Sequence, residues 1–313
     1  MSWLQRHVGS WLPGPKRSQR CGTPSSFPAG VHQRMSLTGG PAVTVTSVTT
    51  WEDRVRRVEG AVAAWRPLLL DPQIPEPGSS LAKDDETFPS MPCSQLAWWG
   101  LSMAVEHLDA GLRLLADQKA QGGPYFSDAN YTVLRAALLG ASQAVVLLLP
   151  ARRDSRTTYG LQLAHEEFRR ALNIRKHLQT HEGLPDSARL ATTDLRLLEG
   201  LSIPMDRAAR ALDARNSRRN FPDTDLVEAA AQLVHSRSAD AALLQLGQEM
   251  EWRLGSGSAH GQLLVTMHRA GGHRTEGDLA MFAGNYDDIA QAVGRISLLV
   301  NEAWRAWDLR RRR

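Results

Sequence analysis

From Thr50 onward, Val55, Val58, Val62 and Trp65 recur at helical spacing. They predict a short amphipathic helix over 50–66 that Thr50 caps and Pro67 stops. From Ser94, the residues Leu96, Trp99, Met103, Leu108, Leu112 and Leu115 hold one face of a long helix closed by Gly122-Gly123-Pro124. Trp98 and Trp99 cannot both share that face. The next pattern starts at Ser127 or Asp128 and runs through Tyr131, Leu134, Leu138, Val145 and Leu148 to Pro150. Being apolar on nearly every side, it belongs in the middle of a bundle. A third long helix, capped by Asp154 or Ser155, carries Tyr159, Leu163, Phe168, Leu172 and Leu178 as far as Gly183.

Shorter segments follow. One starts at Asp186, Pro204 marks a break, an Ala/Arg helix covers 207–219, another covers 224–235, and a further helix starts at Ser238. Residues 271–284 read as a glycine-rich loop. The final helix begins under Asn285-Tyr286-Asp287-Asp288, which has the form of an N-terminal cap. Its stripe is Ile289, Val293, Ile296, Val300, Ala303, Trp304 and Trp307. No alternating run is long enough for a sheet, so the pattern predicts an all-α bundle of about seven to nine helices over 94–309.

Residues 1–49 show no apolar period and are rich in Gly, Pro, Ser and Thr, as a disordered leader would be. Residues 67–93 read as a proline-rich, extended linker, and 310–313 as a basic tail. Charge follows this division. The first fifty residues carry +5, the arginine tail +4, and the whole chain only +4, which leaves 51–309 at −5. The folded body therefore offers no broad basic face for nucleic acid.

Cys21 and Cys93, the only cysteines, lie in stretches that read as irregular. Two thiols make neither a disulfide framework nor a zinc site, which fits a reducing cytoplasm. The uncharged run between Arg135 and Arg152 is too short and too interrupted for a membrane span, so no membrane partner is expected. The dominance of Arg over Lys, with abundant Ala and Leu, matches GC-rich bacterial genomes.

One stretch stands apart: Glu249-Met-Glu-Trp-Arg253-Leu-Gly-Ser-Gly-Ser-Ala-His260-Gly. On an unbroken helix Arg253 and His260 would share a face two turns apart. Gly255 and Gly257 make a break at least as favourable, with Ser256 or Ser258 as the N-cap of a fresh start. Either geometry lets a guanidinium and an imidazole converge on one anion. That is the chemistry of phosphodiester cleavage, with His260 moving the proton and Arg253 stabilising charge. Ser256 and Ser258 could donate to the same phosphate. The competing reading is a structural helix junction.

Other chemistry finds less support. His165-Glu166-Glu167 resembles the start of a zinc-protease motif, but Arg169 stands where the second His belongs. No metal site or cofactor is expected. Arg135 lies on the central apolar helix, where it would need a carboxylate, with Glu106 or Glu199 the candidates.

Arg253, six intervening residues and His260 resemble the Arg-X(4–6)-His signature of the HEPN superfamily, all-helical domains found in toxin and defence ribonucleases and in many inactive members. Trp252-Arg-Leu-Gly-Ser-Gly-Ser-Ala-His260-Gly, preceded by Leu134-Arg-Ala-Ala-Leu138, is also similar to HEPN-like actinobacterial proteins over residues 94–309. In the active ribonucleases the residue after the Arg is usually Asn, Asp or His; here it is Leu254. The resemblance implies a protein of defence or stress response, either a metal-independent endoribonuclease or a degenerate relative that binds without cutting. It also implies a homodimer, with RNA or an antitoxin-like protein as partner. The alternative is a noncatalytic helical interaction or dimerisation module.

Overall fold

A helix that touches six others holds the bundle together. The computed structural model describes residues 50–121, 127–180, 200–269, 272–276 and 279–313. Among these, α1 is Trp51–Leu69, α2 Ser80–Asp85, α3 Cys93–Gln121, α4 Ser127–Leu148 and α5 Arg153–Thr180. They are followed by α6 Ser202–Asp213, α7 Asp223–His235, α8 Ala241–Ala259, α9 Leu263–Arg269, strands β1 Gly272–Glu276 and β2 Leu279–Ala283, and α10 Tyr286–Arg311. The fold is all-α in class. Helix α4 packs on α3, α5, α7, α8, α9 and α10. It is long and apolar enough to cross a bilayer by composition, yet Leu134, Leu138 and the run Ala144–Leu148 are buried among the other helices.

The described residues within 49–273 and 282–313 form one compact unit. The sheet corrects the expectation of a loop over 271–284. Its signal in the sequence was Gly277-Asp278, a hairpin-type pair between two short runs, and each run is too brief to show alternation. The readings of the leader 1–49, of Gly122–Pro124, of the helix end at Gly183 and of the start at Asp186 lie outside the described residues.

The segment before the bundle is part of it. Thr50 caps α1 as expected, its Oγ1 accepting from Asp53 N at 3.2 Å. Val55, Val58, Val62 and Trp65 are buried against α3 and α10, each contributing about 1.5–3 kcal/mol of apolar burial. The helix continues through Pro67 to Leu69, because a proline in the last turn forfeits one hydrogen bond and still offers its carbonyl to Leu70 N. Residues 67–93 are not an extended linker throughout. Helix α2 lies within them, with Leu81 and Asp84 fully buried, and Glu76 N donates to Arg311 O at 2.7 Å. Pro204 likewise sits in the first turn of α6, where a missing N–H is harmless.

In α3 the buried face is Leu96, Ala97, Leu101, Ala104, Val105, Leu108, Leu112 and Leu115. Trp98, rather than Trp99, meets the core: its ring lies 5.7 Å from Trp304 and 5.2 Å from Trp307, while Trp99 is 62 % exposed. Cys93 is the first residue of α3, not part of an irregular stretch. Burial pushes its thiol up to about 12, which keeps it protonated and unreactive.

Glycine sets the closest helix crossing. A Cβ on Gly140 would lie 2.6 Å from Gly100 O and 2.9 Å from Ala104 N, and one on Gly100 would lie 2.7 Å from Gly140 O. These neighbours are backbone and cannot swing away. Gly140→Ala is therefore expected to destabilise by about 1–3 kcal/mol, although alanine favours a helix. Gly294→Ala, whose Cβ meets nothing within 4 Å, is expected to stabilise by roughly 0.5–1 kcal/mol. Urea denaturation of the two variants reads both signs, and equal shifts would refute the close crossing.

His235 is buried at the end of α7, its Nε2 facing Gln248 Oε1 at 3.3 Å. Burial holds its pKa below the usual 6.5. Between those two values the unfolded chain binds the extra proton, so stability falls as pH drops below 6.5 and the loss is complete below the depressed value. His165, also lowered by burial, acts in the same direction. His235→Gln should flatten the melting temperature between neutral and mildly acidic pH. An unchanged slope in that variant would remove His235 as the cause.

Candidate functional site

Helix α8 carries the Arg253–His260 stretch. Gln248, Glu251, Trp252 and Gly255 lie at helical spacing on its buried side. A Cβ on Gly255 would sit 3.2 Å from Arg135 Cβ, and one on Gly257 would sit 2.6 Å from Val265 Cγ2. The two glycines thus let α8 approach α4 and let α9 fold back on it. They do not break the helix, which corrects the expected interruption and the expected N-caps at Ser256 or Ser258.

The helix ends later. Gly261 takes φ +64°, Gln262 N donates to Gly257 O and Gly261 N to Ser258 O, both at 3.0 Å. That pair of bonds around a left-handed glycine is a Schellman ending. His260 is the C-cap and is exposed. Its side chain forms no hydrogen bond among the described residues. Arg253 is 57 % exposed and reaches Glu228 Oε1 on α7 at 3.4 Å. Seven residues place the two Cα atoms about 10 Å apart along the axis. No hydrogen bond joins Arg253 to His260 among the described residues, so any convergence occurs on something outside the chain. Ser256 is half-buried, and Ser258 is buried with its Oγ unpartnered, facing away from solvent.

The exposed side of α8 holds more than this pair. Leu243 is 70 % exposed, Leu246 55 % and Met250 39 %. At about 100° per residue, Leu243, Leu246, Met250, Arg253 and His260 fall within an arc of roughly 100°. Leu263 and Leu264 on α9 and Leu298 on α10 are also exposed. One helix therefore presents an apolar stripe that runs into a cation and an imidazole. The sequence alone gives no sign of this stripe, because apolar residues at helical spacing look the same on an exposed face as on a core face.

Behind this face lies a charge cluster that the sequence reading also missed. Glu251 accepts from Arg269 Nη2 at 2.8 Å and from Arg295 Nη2 at 2.6 Å. The Arg269 guanidinium carbon is 3.3 Å from the Tyr131 ring centre, and the Tyr131 hydroxyl donates to Asp288. Arg269 Nε and Nη1 have no partner among the described residues. The recoverable signal was Glu251 itself, a carboxylate at buried spacing between Gln248 and Gly255.

Arg135 takes neither Glu106 nor any other described carboxylate, and Glu199 lies outside the described residues. Its guanidinium stacks on Trp252 at 4.3 Å instead. An indole face can replace a carboxylate because its quadrupole attracts the cation at lower desolvation cost. Glu166, the middle residue of His165-Glu166-Glu167, is buried. Arg169 and then Arg170 hold its carboxyl below the usual range.

No protein-family model, no curated protein and no solved structure matches this chain.

Proposed function

We propose that this chain is a HEPN-like helical protein that pairs with a second copy through the exposed face of α8, and that Arg253 and His260 at the end of that face act together on an RNA phosphodiester. The observation that carries the reading is the shared arc: Leu243, Leu246 and Met250 supply a surface to bury, and the two polar residues lie on the same side and open to solvent. A two-fold axis across such a face is isologous and would bring two Arg/His pairs to one backbone. In that arrangement His260 transfers the proton and Arg253, released from its half-buried partner Glu228, stabilises the developing charge.

A second reading has its own support. Glu228 already occupies Arg253, and both glycines of the motif are explained by packing, as in a noncatalytic dimerisation module. RNA cleavage in chelator separates the two. Under the first reading His260→Ala lowers the rate by about 10²–10⁴-fold with the fold intact, and Arg253→Ala is similarly impaired. Absence of cleavage by the unmodified protein across varied RNAs favours the noncatalytic module.

A further inference from the structure

A second polar site adjoins α7, and Glu228, the partner of Arg253, stands at its edge. A cleft of about 900 Å³ runs between α5, the α6–α7 turn and α7, with Arg152, Arg215, Arg218, Tyr159 and the hydroxyls of Ser155, Thr158 and Ser217 among its walls. Its volume suits a small organic ligand. Arg215 is placed by the turn that ends α6. Asn216 takes φ +52°, Ser217 N donates to Leu212 O and Asn216 N to Asp213 O, both at 2.9 Å. The guanidinium is then tied through Nη1 to Thr157 Oγ1 at 2.8 Å, Thr158 Oγ1 at 3.0 Å and Asp154 O at 3.4 Å.

All three of those acceptors are neutral. Arg215 therefore keeps its full charge at the cleft wall, with no carboxylate partner among the described residues, and Arg152 has none either. The carboxylates in the cleft are Asp154, Asp225 and Glu228. Asp225 pairs with Arg218 at 3.4 Å and Glu228 with Arg253 at 3.4 Å, which leaves Asp154 as the remaining acid. Ser217 Oγ already donates to Arg215 O at 3.4 Å. Two guanidinium groups and the hydroxyls of Ser155 and Thr158 still offer more donors than the two oxygens of a carboxylate can accept, and they suit the three terminal oxygens of a phosphate monoester. Tyr159, half-buried and 5.4 Å from Phe221, gives the ligand's organic part a ring to lie against.

We propose that this cleft binds a small phosphate monoester, with the phosphate on Arg215 and Arg152 and the organic group beside Tyr159. Phenyl phosphate is the probe, and benzoate is the carboxylate control. Phenyl phosphate should bind the full chain saturably in calorimetry and raise its melting temperature, with benzoate at least about tenfold weaker. Loss of one charge-assisted contact weakens binding about tenfold or more, so Arg215→Gln and Arg152→Gln should each do so. Arg215→Gln also removes the tether to α5, whereas Arg152 is exposed and its loss leaves the fold intact, as circular dichroism would check. No saturable binding of phenyl phosphate, equal binding of benzoate, or unchanged affinity in folded Arg152→Gln would each overturn the proposal.

Discussion

Asp84→Ala is expected to cost about 3–5 kcal/mol, because it leaves the Arg156 guanidinium buried and uncompensated. Asp84 is fully buried and Arg156 nearly so. All the N–H groups of that guanidinium are used: Nε and Nη2 on the two Asp84 oxygens at 2.6 and 3.0 Å, Nη2 also on Ser80 Oγ, and Nη1 on the carbonyls of Pro150 and Ala151. The pair pins α2 to the start of α5. Ser80→Ala removes one neutral acceptor and should cost only about 0.5–1.5 kcal/mol. Urea denaturation compares the two, and a loss below about 1 kcal/mol in Asp84→Ala would mean that α2 is dispensable to the bundle.

The second large effect is at Glu251. Its replacement by alanine strands Arg269 in the core with an aromatic face as its remaining neighbour, and the expected loss is again about 3–5 kcal/mol. Here the two clusters differ. Among the described residues Arg269 leaves two nitrogens unsatisfied, whereas Arg156 leaves none. An incompletely bonded ion pair repays little of its desolvation, so Glu251→Leu combined with Arg269→Met should recover part of the stability lost in Glu251→Ala, the half-buried Arg295 losing its carboxylate in both. The corresponding apolar pair at Asp84 and Arg156 should recover less. A double variant at 251 and 269 as unstable as the single one would show that the charges are needed together.

These two clusters mark where the sequence stops being legible. Local signals held: Thr50 and Asn285 cap their helices, and Val55 to Trp65 and Ile289 to Trp307 form buried stripes. Each depends on residues a few positions apart. Asp84 sits in the acidic run Asp84-Asp85-Glu86, which reads as solvated, and its partner comes 72 positions later. No periodicity records such a pairing. Arg135 posed the reverse problem, since its need for a partner was plain but an indole satisfied it.

The candidate site was legible in its residues and not in its backbone. Arg253 and His260 share a face, as an unbroken helix requires, yet Gly255 and Gly257 suggested a break because glycine is a poor helix former in isolation. Their value is the absent Cβ, which appears only when α4 and α9 are in place. Gly261, one residue past His260, was the true terminator.

The proposed Arg253/His260 site requires the exposed face of α8 to be buried in a symmetric pair. Sedimentation equilibrium of the full chain measures this directly. It should give twice the 34.5 kDa chain mass, and Leu246→Glu, on an exposed position of α8, should return the single-chain mass without loss of helical signal. A single-chain mass for the unmodified protein at every concentration, or a pair that Leu246→Glu leaves intact, would contradict it.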